Sequence, residues 1–140
     1  MVHVYEADTN QAGSLGTVIL TGAITDYGTD YQGAGPGGTN LFVLSKGSFA
    51  VDVSAIGNQF QGLPEDQATC TSDGTVSGPI TIVHGSGKRA YAGISGTLDT
   101  TASTAYVVPG SPGQCNWNAT QYPGVLIANA AGTVKYGGGN

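Results

Sequence analysis

Gly85-Ser-Gly-Lys-Arg-Ala-Tyr-Ala-Gly-Ile-Ser-Gly-Thr-Leu98 speaks mainly about architecture. A tight Gly85-Ser-Gly87 turn leads into a β segment punctuated by Gly93 and Gly96. Glycine inside a strand marks a bulge, a sharp bend or a close backbone approach. A sheet that curls into a small closed barrel needs such bends. Gly85, Gly87, Gly93 and Gly96 therefore read as structural positions. The same run opens the longest β segment, Arg89 to Val108. One face carries Ile94, Leu98, Ala102 and Tyr106; the other carries Ser95, Thr97, Asp99, Thr101 and Ser103. That period of two belongs to a sheet with one wet face.

Outward from this segment the chain reads as further strands joined by Gly/Pro-rich connections. Val2 to Asp8 alternates briefly. Thr17 to Tyr27 reads as one strand, with Val18, Leu20 and Ile24 on one face and Ile19 breaking the pattern. Gln32 to Asn40 is too rich in Gly and Pro to be a strand, and reads as a connector or a lid over a cavity. Leu41 to Val53 is β-rich around Lys46-Gly47, either a hairpin turn or a bulge; Phe49, Val51 and Val53 are expected to share a face with Leu41 and Val43. Ser54 to Thr69 reads as loop with one helical turn near Glu65. Thr71 to His84 is a strand kinked at Gly74 and Gly78-Pro79, and its proline implies an edge or a bulge. Gln114 to Pro123 is loop, and Val125 to Tyr136 is the last strand. The expected fold is all-β: one antiparallel barrel of about eight strands over residues 1–136, with residues 137–140 a flexible Gly-rich tail. A β-sandwich is the alternative.

Composition narrows the function classes. The chain has 140 residues, enough for one domain with a proper core. Charged residues make up only 9%, so Thr, Ser, Asn, Gln and Gly must cover much of the surface. The only basic residues are Lys46, Lys88, Arg89 and Lys135, against a net charge of −5. Nucleic-acid binding lacks its basic footprint, anionic membranes are disfavoured, and no apolar stretch is long enough for a membrane-spanning helix. Met1 ahead of Val-His-Val-Tyr looks like an added start on a mature chain, so a removed secretory signal is expected.

Cys70 and Cys115 can form one bridge or remain two thiols. Their polar, loop-like contexts favour the disulfide, because buried structural thiols sit in apolar runs. Such a bridge would stabilise by roughly 4 kcal/mol and belongs to an oxidising compartment. A secreted or extracellular protein is therefore expected. Asn118-Ala-Thr120 fits the glycosylation acceptor pattern.

With these residues laid out, Gly85 to Leu98 resembles the Gly-rich segment of the allene oxide cyclase and dirigent-like β-barrel superfamily. The nearest resemblance is to small secreted actinobacterial proteins of that type. The order of Cys70, the strand Thr75 to His84, and Gly113-Gln-Cys-Asn116 fits, as do Leu20 to Gly28 and Lys46 to Asp52. The resemblance implies an eight-stranded barrel whose lumen opens at one end and holds apolar, conformationally mobile molecules. Some members steer cyclisations largely by orienting the substrate. The catalytic residues of the plant enzymes lie outside the matching motif, so none carries over to this chain.

No metal motif and no cofactor motif appears. His3 and His84 stand alone, and no nucleophile elbow exists around the serines. Asp8, Asp26, Asp30, Asp52 and Asp99 read mainly as turn and surface residues, with a carboxylate pair as the alternative. Tyrosine lines cavities well, with an apolar body and a polar tip. Tyr27, Tyr31, Tyr91 and Tyr106, with Arg89 after the turn, are the candidate ligand-binding residues. The leading expectation is a secreted barrel binding a small apolar molecule. One alternative is an extracellular structural or adhesive protein, its lumen filled by its own side chains and its copies associating as a homo-oligomer. The other is a cyclase or isomerase, which requires an ionisable residue of perturbed pKa inside the lumen.

Overall fold

The computed structural model describes residues 1–9, 15–119 and 122–135, with Leu15 described by its backbone alone. The barrel is formed by β1 (Val2–Thr9), β2 (Leu15–Gly22), β3 (Asp26–Tyr31), β4 (Asn40–Leu44), β5 (Gly47–Asp52), β6 (Thr71–Ile82), β7 (Ser95–Val107) and β8 (Gly124–Lys135). Each strand pairs antiparallel with its neighbours in sequence, and β8 returns to β1. The ring closes at β5–β6 through only two residue pairs, Val51 with Ile82 and Asp52 with Thr81. The all-β barrel is therefore the fold, and the sandwich alternative falls away.

The register is strongly staggered. From Glu6 through β2, β3 and β4 it reaches Gly47 on β5. From Glu6 through β8, β7 and β6, extended across the seam, it reaches position 57. A stagger of roughly ten residues over eight strands tilts the strands and widens the barrel enough to leave an interior.

The period of two in β7 is realised: Leu98, Thr100 and Ala102 are buried and Thr97, Asp99, Thr101 and Ser103 are exposed. Several expectations are corrected. Thr17 to Tyr27 is two strands, β2 and β3, because the chain turns at Gly22 (φ 88°), where the Ala23 N–H donates to the Met1 carbonyl at 3.0 Å. Of the two readings at Lys46-Gly47 the hairpin holds, with Ser45 and Lys46 turning between β4 and β5. Across that turn an even residue faces an odd one, as Phe42 faces Phe49. Phe49 and Val51 therefore share the interior with Phe42 and Leu44, while Val43 points out. The helical turn lies earlier than Glu65, as α1 (Ser54–Phe60), and Glu65–Asp66 forms a short antiparallel pair with β6. β7 begins at Ser95, since Ala90 to Ile94 forms turns and only Lys88–Arg89 pairs with β5. The last strand ends at Lys135 as described; Tyr136, the tail 137–140 and Thr120 of the acceptor pattern lie outside the described residues.

The seam explains α1. Above Thr81, β6 has no β5 partner, and Pro79, which lacks an N–H, sits in this free stretch as its edge reading required. α1 packs there instead. Gln59 Nε2 donates to the Ser77 carbonyl at 2.6 Å. A Cβ on Gly78 would approach Gln59 Nε2 to 3.2 Å and Ile56 Cδ1 to 3.4 Å, so the missing side chain lets the helix close in.

The Gly-rich run closes the other end of the barrel. Tyr91 and Ile94 are buried with Phe49, and the Phe49 and Tyr91 rings meet edge to face at 5.4 Å. A Cβ on Gly87 would lie 1.8 Å from the Tyr91 carbonyl oxygen, so only glycine fits. Gly85, Gly93 and Gly96 take positive φ. The floor is pinned to Asp26, which accepts from the hydroxyls of Tyr91 and Ser45 and from the N–H groups of Tyr27 (2.8 Å), Ser45 (3.1 Å) and Lys46 (3.1 Å). Burial alone would raise the Asp26 pKa; these hydrogen bonds outweigh it and bring the carboxyl to about 2. Cys70 and Cys115 form a disulfide that ties the start of β6 to the loop after β7. Nearby, Trp117 Nε1 donates to Gln67 Oε1 at 3.1 Å.

Tyr91→Phe, which deletes one donor to Asp26, should lower stability by about 1–2 kcal/mol, and Asp26→Ala, which strands the buried Tyr91 hydroxyl together with the Ser45 hydroxyl and three backbone N–H groups, by roughly 3 kcal/mol or more. Urea unfolding of the two variants checks the order; equal losses would deny Asp26 its central place in the floor.

Candidate functional site

Above the Phe49–Tyr91 floor the barrel is hollow. The cavity has a volume of about 460 Å³. It exists because the inward positions change size along the barrel. Near the floor they are Val2, Leu20, Phe49, Leu98 and Tyr91. Higher up, β7 and β8 offer Thr100, Ala102, Ala128 and Ala130, too small to meet across the lumen. Phe42 and Ile80 supply the lower apolar wall, and Ile56 and Phe60 of α1 line the side where β5 falls short. At the mouth the Tyr106 and Tyr122 rings meet, tilted by 47°, at 5.2 Å between centroids.

The polar part of the cavity is a carboxyl cluster built by strand alternation. Val2 and Val4 face inward, so Glu6 and Asp8 of β1 do too. Asp30 of β3 joins them. Gly16, beside Asp8 on β2, makes room for Glu6: a Cβ there would lie 2.7 Å from Glu6 Oε2. Gln32 Nε2 donates to Asp8 Oδ2 at 3.0 Å, and Asn40 Nδ2 to Asp30 Oδ2 at 3.2 Å. The other oxygens, Asp8 Oδ1 and Asp30 Oδ1, and the buried Thr100 Oγ1 have no amide or hydroxyl partner among the described residues. Asp8 and Asp30 are only 7% and 2% exposed.

Three carboxyls in one low-dielectric recess cannot all ionise. Burial, the hydrogen bond to Asp30, and the charges of Asp30 and Asp8 push Glu6 up to about 9. Burial and the Asp30 charge raise Asp8, against the Gln32 hydrogen bond. Burial raises Asp30, against hydrogen bonds from Glu6 and Asn40. At neutral pH the Glu6 carboxyl thus holds a proton and shares it with Asp30. Among the described residues no Lys, Arg or His lines the cavity. Among the described residues no group of His, Cys, Asp and Glu is arranged to hold a metal ion.

Of the candidate ligand residues, Tyr106 lines the cavity. Tyr91 lies beneath it in the floor, Arg89 is exposed beside that floor, and Tyr27 and Tyr31 point outward. Tyr27 instead ends a cross-strand row on the outer face, Tyr5–Ile19–Tyr27. Of the five aspartates weighed as a possible carboxylate pair, Asp8 and Asp30 enter the lumen, Asp26 serves the floor, and Asp52 and Asp99 are exposed. Sequence reasoning missed Glu6, yet the signal was present: Glu6 and Asp8 continue the parity of Val2 and Val4.

Compared with family models, with curated proteins and with solved structures, the chain matches none.

The geometry of the cluster fixes a pH dependence. Unfolded Glu6 loses its proton near 4.5 and folded Glu6 near 9, so between these values the native state holds the extra proton and stability falls as pH rises. Asp26 acts oppositely: its stabilisation is present above its ordinary 3.8 and is lost as pH falls toward 2. Stability of the free protein should peak at about pH 4–5 and decline toward pH 9. Glu6→Gln should flatten the decline on the alkaline side, read from urea midpoints across that range. An unchanged slope in the variant would show that Glu6 is not the group responsible.

Proposed function

We propose that the protein is a secreted barrel that binds a small, largely apolar organic molecule in its lumen. The observation that carries this reading is the cavity of about 460 Å³, walled by Phe42, Ile56, Phe60, Ile80 and small alanines, with a polar recess at one side. Binding sites of this kind are concave, mostly apolar, and carry a few placed polar groups that set orientation. The resemblance to allene oxide cyclase and dirigent-like barrels supports the same reading. The disulfide and the low charge support an extracellular setting. The structural or adhesive alternative required a lumen filled by its own side chains, and the cavity weighs against it.

A specific observation favours one second reading. A cyclase or isomerase requires a perturbed ionisable group in the lumen, and Glu6, protonated beside Asp30, is such a group. Binding is common to both readings and is tested first.

An uncharged, environment-sensitive dye such as N-phenylnaphthylamine should bind with a strong fluorescence increase. Ala102→Phe, which places a ring in the lumen at a buried wall position, should abolish the signal while circular dichroism stays native. A signal that survives Ala102→Phe would place the dye outside the barrel and reject the lumen as the site.

A further inference from the structure

We propose that the ligand carries a protonated nitrogen, and that Glu6, Asp8 and Asp30 form the counter-charge that receives it. This rests on the lumen being a ligand site and names the chemistry of its occupant: an apolar molecule with one ammonium group.

Three independent observations point to a cation. First, three carboxyls face one recess with no Lys, Arg or His among the lining residues to balance them. Buried carboxylates are ordinarily paired with a cation or hydrogen-bonded on both oxygens. Here Gln32 and Asn40 each hold one oxygen of Asp8 and Asp30; the further partner of Asp30 is the Glu6 carboxyl, an acid and not a cation, and Asp8 Oδ1 has no partner among the described residues. Second, the Thr100 hydroxyl, 7% exposed and lining the same cavity, is also without a partner. An ammonium group offers several N–H donors from one atom, whereas an alcohol offers one and a carboxylate none. Third, the four basic residues lie at the far end. Lys46 is in the β4–β5 turn, Lys88 and Arg89 pair with the start of β5, and Lys135 pairs with Ser95. These cations share their end of the barrel with the ionised Asp26 and leave the recess charges unbalanced, which draws a cation inward and turns an anion away.

Protons compete for the same place. The titratable groups lining the cavity are Glu6 and Asp8 on β1, Asp30 on β3, Tyr106 on β7 and Tyr122 in the loop before β8. At neutral pH the free cluster relieves its repulsion by keeping a proton on Glu6. An incoming ammonium supplies the missing charge directly, so the Glu6 proton is released on binding.

The test uses the intact disulfide-bonded chain and three probes of one length: octylamine, octanol and octanoate. Calorimetry near neutral pH in two buffers of different ionisation enthalpy reads affinity and protons together. Octylamine should bind about tenfold or more tighter than octanol, the advantage of a charge-assisted hydrogen bond, and octanoate weakest. Octylamine alone should release protons. The double variant Glu6→Gln with Asp30→Asn should still bind octanol but lose the preference for the amine; its urea midpoint confirms that it folds. Octanol binding as tightly as octylamine would overturn the inference while leaving the lumen reading intact. Failure of all three probes to bind would remove both. Displacement of octylamine by millimolar calcium, with calcium itself binding at the cluster, would reassign the carboxyls to a metal and overturn the inference.

Discussion

The two-pair seam between β5 and β6 shapes both the edge of the barrel and its lumen. Every other junction between neighbouring barrel strands is longer; here only Val51–Ile82 and Asp52–Thr81 join the ends of the meander. Closing a sheet with so much stagger leaves a length of β6 with a bare edge, and bare edges invite pairing with other chains. The chain resolves this on both sides of the seam. Toward the floor, the edge of β5 is completed by Lys88–Arg89, by the Val83 N–H donating to the Ala50 carbonyl, and by Ser86 Oγ accepting from the Ala50 N–H. Toward the mouth, α1 replaces a strand, held by Gln59 and admitted by Gly78. A helix cannot fill a barrel wall as tightly as a strand, and its Ile56 and Phe60 become one wall of the lumen. The cavity and the seam are therefore one feature with two aspects.

The same barrel is built to different standards at its two ends. At the floor, Phe49, Tyr91, Ile94 and Leu98 are packed to near-zero exposure, and the buried Asp26 is fully supplied with donors. Such an ion is inexpensive to keep, and its pKa falls accordingly. At the mouth the carboxyls are buried without enough donors, and their pKa values rise. Asp26 and Asp30 are four residues apart on one strand and face the same interior. Their opposite behaviour comes wholly from what the opposing strands and loops present to them.

Much of this was legible in the sequence, and the failures have physical causes. The alternation in β7 and the glycines of residues 85–98 were enough to indicate a curled antiparallel sheet. Parity failed where turns intervened. The hairpin at Ser45-Lys46 pairs even with odd residues, so extending one face from Leu41 and Val43 into Phe49 put β4 inside out. Thr17 to Tyr27 read as continuous because the turn at Gly22–Thr25 is bounded by residues of high strand propensity. α1 was misplaced because Ser54–Phe60 has no marked helical periodicity; its position follows from a long-range need, the gap beside β6. Tyrosine was a weak guide to the lumen. Tyr5, Tyr27 and Tyr31 lie on outward positions of strands whose inward positions carry Glu6, Asp26 and Asp30. The acidic neighbours, which look like surface residues by type, were the interior ones by parity.

The charge economy of the chain gives the cluster its meaning. With 9% charged residues the protein has few ions to place, and a carboxyl on the wet outer face would cost nothing. Three of its nine acids are instead gathered in one recess, while all four Lys and Arg residues lie toward the opposite end. Nothing in the barrel's packing calls for this. Valine at residue 6 or 8 would continue the alternation begun by Val2 and Val4 and would fill part of the lumen. The arrangement is destabilising in the free protein at neutral pH, because a proton must be held there against its ordinary equilibrium. Groups kept at such a cost at a site open to solvent gather where ligands or reactions use them. The cost is relieved in two ways, by a proton or by a bound cation, and the two compete for the same oxygens. On the proposed reading, a basic ligand would be displaced as acid is added, while down to about pH 4–5 the barrel that carries the recess becomes more stable.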